Sequence, residues 1–568
     1  MSATEKPLIL FVSLQVQSSW QSVPLGAASV AAALGADSRL AGRLSFTLAD
    51  YSLEDPDLSG LDAVRAGALL ARKILTLAPA PRVVAFSVYV WNRPAFEECA
   101  RELRRLGSKA TLVAGGPEPT AAPETFGEAF DHVLVGEGER GFADLALALL
   151  DGSPLPASVA AMRRLPVPDC ANLASPWLSG TLDSCRAVSG HRGALWELAR
   201  GCPYSCAYCY ESLGEKKVRP LPLKRLEAEL DRFAQLGVER VFVLDPTYNA
   251  NRERALSLLS TIEKRAKDIH FSFEVRAELL DRELVSAFSR IPCSLQIGLQ
   301  SSNPEALKLV NRPSDLKGFS KKIGLLNDAG IVFGLDLMYG LPGDSLSTFR
   351  ASLDYALSLY PNNLEIFRLA VLPGTALFER RAELALDCEA RPPYAVRSTP
   401  KFPSGDLDRA ETLAAAADVF YTQGRAVTWF LALLRPLKLK PSQFLADFAE
   451  WLESRDRAGR PGAARALAAS RAPHAEIEPL QIAFAEKKLA EKGKSYLGKA
   501  VRDIIALNGA WTRAFAEGEE SSLELSYHPE DLFSSDAMDL EYFAENACME
   551  HCAARVFPTP DGPDLELT

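Results

Sequence analysis

Long hydrophobic runs are absent from this chain. The best candidate, residues 426–434, is about half the ~18 residues that a membrane-spanning helix needs. The first seven residues are polar and lead directly into an apolar segment, which is not the pattern of a secretory signal. A cytoplasmic protein with no membrane span is expected. Cysteine is scarce: 10 in 568 residues, too few for a disulfide scaffold in a chain of this size. Basic charge is not in excess either. Lys and Arg number 63 against 73 Asp and Glu, for a formal net charge of −10 and a pI near 5.4. That sign disfavours duplex nucleic acid as a partner, though not a local basic patch. No repeat of fixed period and no low-complexity tract is found. With 48% hydrophobic and 24% charged residues, the chain can bury several cores, which excludes global disorder. At about 150 residues per domain, three or four domains are expected.

Strand signals at residues 8–12, 44–48, 83–88, 112–114 and 132–135 alternate with helical patterns at 25–34, 61–77, 96–106 and 142–150. Strands apolar on both faces and separated by helices indicate a parallel, doubly wound sheet over residues 1–150. Ligands on such sheets lie beyond the carboxyl ends of the strands. Those ends are residues 13–20, residues 87–92, Gly115-Gly116-Pro117-Glu118-Pro119 and Gly136-Glu137-Gly138-Glu139. Their glycines would let a backbone approach a large ligand closely, and would equally serve tight turns. Residues 151–190, broken by Pro154, Pro156, Pro166, Pro168 and Pro176, read as an interdomain linker. Six further strand signals at 195–199, 241–244, 270–275, 294–299, 332–338 and 364–370 alternate with helices within residues 191–400. They fit a complete or partial parallel barrel with its chemistry at the carboxyl ends. Residues 401–568 read as mostly helical (406–434, 442–453, 462–470 and 480–515), with strand-like segments at 522–527 and 553–557.

Three of the cysteines cluster directly after the first barrel strand, in Arg200-Gly201-Cys202-Pro203-Tyr204-Ser205-Cys206-Ala207-Tyr208-Cys209-Tyr210. At this cysteine frequency the Cys-x₃-Cys-x₂-Cys spacing has a chance expectation of about 0.003 in the whole chain. Three close thiols suit a metal or a cluster. Structural zinc would need a fourth ligand, for which Cys185 or His191 could serve, and no second two-cysteine knuckle follows. On a four-iron cluster, three thiolates leave one iron open to a substrate.

This loop resembles that of the radical S-adenosylmethionine (SAM) superfamily, in which an aromatic residue, here Tyr208, precedes the third cysteine. The resemblance continues through Phe242-Val243-Leu244-Asp245-Pro246-Thr247-Tyr248-Asn249, Glu274-Val275-Arg276, Gln296-Ile297-Gly298-Leu299-Gln300-Ser301 with Asn311-Arg312, Gly334-Leu335-Asp336 with Gly340-Leu341-Pro342-Gly343-Asp344, and Val371-Leu372-Pro373-Gly374-Thr375. It implies a (β/α)6 partial barrel in which Cys202, Cys206 and Cys209 ligate a 4Fe-4S cluster. By the same resemblance, Tyr208, Glu274, Arg276, Gln300 and Ser301 hold S-adenosyl-L-methionine, and backbone near Val371 holds its adenine. Glu274 and Arg276 would equally form a structural ion pair, and Asp336 a buried hydrogen-bond acceptor. The cofactor would then be cleaved by one electron to a 5′-deoxyadenosyl radical, so a reductant such as flavodoxin or ferredoxin is an implied partner.

A doubly wound domain before such a barrel resembles the Rossmann-like cobalamin domain of the cobalamin-dependent radical SAM enzymes. Ser87, Trp91 and Asn92, Gly115, Gly116, Pro117 and Glu118, and Gly136, Glu137 and Gly138 resemble the loops that contact the corrin. Some cobalamin proteins carry Asp-x-His-x-x-Gly after the first strand. Here that stretch reads Ser13-Leu14-Gln15-Val16-Gln17-Ser18-Ser19-Trp20, and His132, the only histidine of the domain, begins a strand. No histidine ligand to cobalt is expected. The resemblance implies a methyltransferase acting on an unactivated carbon of a small molecule; the alternative is a non-methylating rearrangement, cyclisation or ring contraction. Cys548, His551 and Cys552 lie close together near the end, as semi-buried thiols by a helix end or as a redox, cluster or methyl-acceptor group. His528 and His551 are candidate bases, and residues 486–494 read as a solvated, lysine-rich helix face.

Overall fold

Strand β1 (Leu8–Gln15) buries every residue from Ile9 to Leu14, which is possible only if both faces of its sheet are covered. In the computed structural model, which describes residues 6–213, 217–455 and 462–567, helices cover both. β1 pairs in parallel with β2 (Ser45–Ser52) and β3 (Val83–Ser87), followed by β4 (Thr111–Gly115) and β5 (His132–Val133), in the order β2-β1-β3-β4-β5. The intervening helices are α1 (Leu25–Ala36), α2 (Ala63–Leu77), α3 (Arg93–Arg105), α4 (Pro117–Ala121) and α5 (Gly138–Asp151). Alternate β1 residues feed two cores. Leu10, Val12 and Leu14 join Leu70, Phe86 and Phe96, while Ile9 and Phe11 join Leu34, Phe142 and Leu145. The doubly wound expectation is met.

Two compact units divide the chain. The first comprises the residues up to Ser294 with Ala370–Glu383 and Cys388–Ala395; the second comprises Leu295–Leu369, Leu384–Asp387 and Val396 onward. Besides the first sheet, the first unit holds the parallel strands β6 (Gly193–Trp196), Arg240–Val243 and His270–Val275, with helices Leu223–Gln235, Arg252–Arg265 and Arg282–Phe288 between and after them. The proline-broken stretch before β6 has little regular structure but packs closely. Trp177 is buried edge-on against Phe233, with 4.9 Å between ring centroids, and donates through Nε1 to the Leu195 carbonyl.

The second unit continues the alternation with parallel strands Val332–Tyr339 and Asn363–Arg368 and helices Leu316–Asp328 and Leu346–Leu357. Its helical part departs from expectation in two places. The continuous helix expected over 406–434 is Ser404–Ala417, a π-helical turn Asp418–Gln423 and a separate helix Phe430–Leu437. The buried Gln481 amide donates to the carbonyls of Phe420 and Gly424 and so satisfies the groups the break releases. The helix expected over 480–515 is two, His474–Glu491 and Gly498–Glu517, parted at Gly493, whose φ of +68° ends the first. The chain closes with an antiparallel sheet of Ser521–Tyr527, Met549–Thr559 and Gly562–Leu567; the last strand had no signal in the sequence. No helix among the described residues is long and apolar enough to cross a membrane.

Candidate functional site

The loop that follows β6 is anchored before its first cysteine. Asp245, beyond the end of strand Arg240–Val243, accepts the backbone N–H groups of Leu198 and Ala199 at 3.0 and 3.1 Å. Burial pushes its carboxyl up to about 6 despite those bonds. Arg200 then engages three carboxylates: Glu197 at 3.0 Å, Glu137 at 2.6 Å and Glu139 at 2.6 Å. Burial opposes its charge, but the charges of Glu197 and Glu139 outweigh burial and raise the guanidinium pKa.

Cys202 and Cys206 are buried and Cys209 is half-buried. The Cys202 thiol lies 3.9 Å from the Thr247 hydroxyl. Burial pushes the Cys209 thiol up to about 11, and neighbouring Cys206 and Cys202 act in the same direction. Such thiols ionise when a metal supplies the compensating charge. Among the bonds that hold the loop are Cys209 N–H to the Cys206 carbonyl, Leu377 N–H to the Ala207 carbonyl, and Tyr210 O–H to the Pro117 carbonyl. Among the described residues, no three Cys, His, Asp or Glu side chains converge on one ion. A four-iron cluster takes its thiolates on separate irons, and three cysteines of one loop suit that donor set. The two possible fourth zinc ligands are engaged elsewhere. Cys185 lies 3.9 Å from Asp50, and His191 lies 3.2 Å from the Ser18 hydroxyl.

Of the residues expected to hold SAM, Arg276 reaches the cysteine loop: its guanidinium stacks on the Tyr204 ring at 3.8 Å and binds Glu278 at 2.6 Å. The Asn249 side chain bonds both the N–H and the carbonyl of Arg276. Glu274 on His270–Val275 and Tyr208 in the loop are half-buried. Val371 is buried and its N–H donates to the Tyr394 carbonyl. In the second unit, Gln300 ends its strand with φ +67°. The hydroxyl of fully buried Ser301 accepts from Asn303 N–H and contacts Asp344 and Ser352. Asp336 accepts from the Gln296 amide, and burial raises its carboxyl to about 6. That is the hydrogen-bond acceptor role.

The loops at the carboxyl ends of β3, β4 and β5 pack closely on their neighbours, and glycine makes that packing possible. Gly116 has φ +116°, and a Cβ there would lie 2.6 Å from the Val88 carbonyl, so only glycine fits. Gly115 accepts from Val88 N–H, and Gly136, with φ +97°, donates to Thr120. Gly138 begins α5. Asn92 and Trp91 both donate to the Leu14 carbonyl, and Asn92 also donates to that of Ser87. Trp91, 40% exposed, stacks on Tyr89. Glycine backbone and an exposed indole at this end of the sheet are compatible with a flat macrocycle. The acidic residues of the loops are already partnered: Glu137 with Arg200 and Arg219, and buried Glu118 with Arg93 and Tyr394. His132 is half-buried at the start of β5, the opposite end of the strand from these loops, and burial lowers its pKa.

The C-terminal candidates do not form a cluster. Cys548 is exposed, Cys552 is buried on strand Met549–Thr559, and exposed His551 pairs with Glu524 at 3.1 Å. His528 caps a short helix by accepting from Glu530 N–H. The lysine-rich face is not wholly solvated, because Lys488 is buried between Asp447 and Glu491. The residues that sequence reasoning overlooked are Arg200, Tyr210, Arg93 and Tyr394. The first two flank the cysteine motif, which was the only available signal.

Comparison with known proteins bears on the two domains and the fold. Residues 196–356 match the Radical SAM superfamily and residues 21–146 match the B12 binding domain. A cobalamin-dependent radical SAM methyltransferase, TokK of Streptomyces tokunonensis, is 26% identical over 52% of this chain and 48% of its own. The 2-(S-pantetheinyl)-carbapenam-3-carboxylate methyltransferase of Streptantibioticus cattleyicolor is 27% identical over the same shares. The chain thus spans about half the length of these curated relatives. In fold it resembles the radical SAM methyltransferase TsrM of Kitasatospora setae, solved with cobalamin and a [4Fe-4S] cluster (TM-score 0.53, 18% identity, 68% of this chain and 76% of that one). It also resembles the cobalamin-dependent SAM radical enzyme OxsB, solved with aqua-cobalamin (TM-score 0.55, 14% identity, 88% and 82%).

Proposed function

We propose, from the premise that this chain is a radical SAM enzyme carrying a B12-binding domain, that it methylates an unactivated carbon of a small-molecule substrate. The observation that carries this reading is the joining of the cysteine loop to the corrin-side loops through Tyr210–Pro117 and Arg200–Glu137. The two relatives named as methyltransferases support methyl transfer as the outcome.

Cys202, Cys206 and Cys209 would hold the cluster, and Tyr208, Glu274, Arg276, Gln300, Ser301 and the Val371 backbone would hold SAM. Ser87, Trp91, Asn92, Gly115–Glu118 and Gly136–Gly138 would cradle the corrin. When bound, these groups supply a 5′-deoxyadenosyl radical and a cobalt-borne methyl. The chain's own residues fix the loops, bury the thiols and keep the glycine cradle free of side chains. Residues 1–150 would serve as the cobalamin domain, residues 151–190 as a linker, 191–400 as the radical SAM barrel and 401–568 as a helical C-terminal domain. A one-electron reductant of the flavodoxin or ferredoxin kind and a cytoplasmic setting complete the reading.

The test is the product balance of the reconstituted enzyme incubated anaerobically with methyl-labelled SAM, reductant and candidate substrates. Methylation gives S-adenosylhomocysteine and 5′-deoxyadenosine in roughly equal amounts, with label in the product. Substrate-dependent 5′-deoxyadenosine with no S-adenosylhomocysteine above a cobalamin-free control would overturn methylation in favour of a rearrangement.

A further inference from the structure

Segment Cys388–Ala395 belongs to the first unit although the residues on either side of it belong to the second. Its anchor is Tyr394, which is 3% exposed and has φ +59°. A bulky residue adopts that backbone conformation only when its surroundings impose it. Two sets of contacts do so. Through its main chain, Tyr394 accepts Val371 N–H at 2.9 Å, beside an antiparallel bridge of Ala370 to Ala395. Through its phenol, it donates to Glu118 Oε2 at 2.8 Å and accepts from Arg93 Nη1 at 3.2 Å.

Glu118 does not need the phenol for neutralisation, because Arg93 already lies 3.2 Å away. Arg93 is itself fixed by Glu97, by Thr125 and by the face of Phe126. What the phenol adds is a directional, charge-assisted bond from the segment after the last barrel strand to the loop after β4. One residue thereby touches both segments, the second with its side chain and the first with its backbone.

We infer that Tyr394 is a positioning residue that couples the two cofactor pockets, setting the corrin-side loop Gly115–Glu118 against the adenine-side segment at Val371. The inference rests on the proposed function, since it takes those segments as the cobalamin and SAM contacts. When either ligand orders its own segment, the other segment is ordered through Tyr394, and affinities linked in this way are mutual.

The experiment measures hydroxocobalamin binding by equilibrium dialysis to cluster-reconstituted, full-length protein, with and without SAM and without reductant, so that nothing turns over. In the unaltered protein, SAM should tighten hydroxocobalamin binding by about fivefold or more. In Tyr394→Phe this factor should fall to within about twofold of unity. A residue with only a structural role would weaken both ligands alike and leave the factor unchanged, and that result overturns the inference. Glu118→Ala removes the same hydrogen bond from the other side and must also lower the factor; a factor left intact there overturns the inference as well, even if Tyr394→Phe does not fold. Unaltered protein that binds both ligands without coupling overturns this inference alone. Unaltered protein that binds no hydroxocobalamin overturns the proposed function on which it rests.

Discussion

The phenol of Tyr210 donates to the carbonyl of Pro117 at 3.1 Å. The residue that follows the third cysteine of the cluster motif is thus bonded to the first residue of α4, in the glycine loop expected beneath the corrin. Arg200, two residues before the first cysteine, binds Glu137 and Glu139 in the neighbouring glycine loop. The cysteine segment is therefore clamped at both ends to the first sheet. With both ends fixed, the fold sets where the three cysteines stand relative to the glycine loops.

The three cysteines should be separable from the rest of the site. Replacing Cys202, Cys206 and Cys209 together by Ala should leave a folded chain that still binds hydroxocobalamin, because the clamps use Tyr210, Arg200 and the Asp245 carboxylate. Iron and sulfide after anaerobic reconstitution should fall to background. A full four-iron complement in the triple variant would contradict the assignment. Partial retention would direct attention to Cys548 and Cys552.

Arg200 should be the costliest single side chain of the clamp. Its guanidinium is 14% exposed and its partner Glu139 is 7% exposed. Arg200→Met would leave the buried Glu139 carboxylate without a counter-charge, at a cost of about 3–5 kcal/mol. Thermal unfolding should show the loss. Adding Glu139→Gln should restore part of it, because one stranded charge is then removed. If the double variant is no more stable than Arg200→Met alone, the ion pair is not the source of the loss.

The three cysteines were legible as a motif because they lie within eight residues of one loop, where spacing alone is distinctive. The strands were legible for a related reason: β1 is an apolar run and His270–Val275 alternates buried apolar with half-buried polar residues, patterns set by local composition. The contacts that organise the site were not. Tyr210 and Pro117 are 93 residues apart, and Tyr394 and Glu118 are 276 apart; nothing near Tyr394 in the sequence marks it as a partner of the first sheet. Apolar periodicity also runs unbroken through the π-helical turn at Asp418–Gln423, because its stabilising amide, Gln481, comes from a distant helix. Glu118 and Glu137 were read as cofactor contacts by position alone, and only the structure reveals their ionic partners.

Asp245 gives the anchor of the cysteine loop a pH signature. Burial raises its carboxyl to about 6, above the ordinary aspartate value near 4 that it takes when unfolded. Between those values the folded chain binds more protons than the unfolded one. Its contribution to stability therefore falls as pH rises from about 4 to about 6 and is level above that. Asp245→Asn keeps an oxygen for Leu198 and Ala199 N–H and should remove this slope, seen as a flatter dependence of unfolding midpoint on pH. Asp245→Ala strands both N–H groups, at about 1–3 kcal/mol each, and should also lower the cluster content. A slope unchanged in the Asn variant would show that another group titrates.

The absence of a histidine from residues 13–20 makes a spectroscopic prediction, and the structure selects the variant that tests it. His132 lies at the amino end of β5, away from the glycine loops, so replacing it should change nothing. His191 is the more searching choice, because its Nε2 lies 3.2 Å from the hydroxyl of Ser18 in the segment where other cobalamin proteins place their histidine. Its imidazole is exposed and its hydrogen bond holds the loop, a role that needs no metal. An axial imidazole is a strong donor that tunes a metal's redox behaviour; without one, the low-valent cobalt required for methyl transfer is easier to reach. The Co(II) state of the bound cofactor should therefore show no hyperfine splitting from a protein nitrogen in its electron paramagnetic resonance spectrum. His191→Ala should leave that spectrum unchanged while weakening cobalamin binding no more than about threefold, the worth of one exposed hydrogen bond. Nitrogen splitting that disappears in His191→Ala would identify His191 as the cobalt ligand and overturn the reading of the first loop.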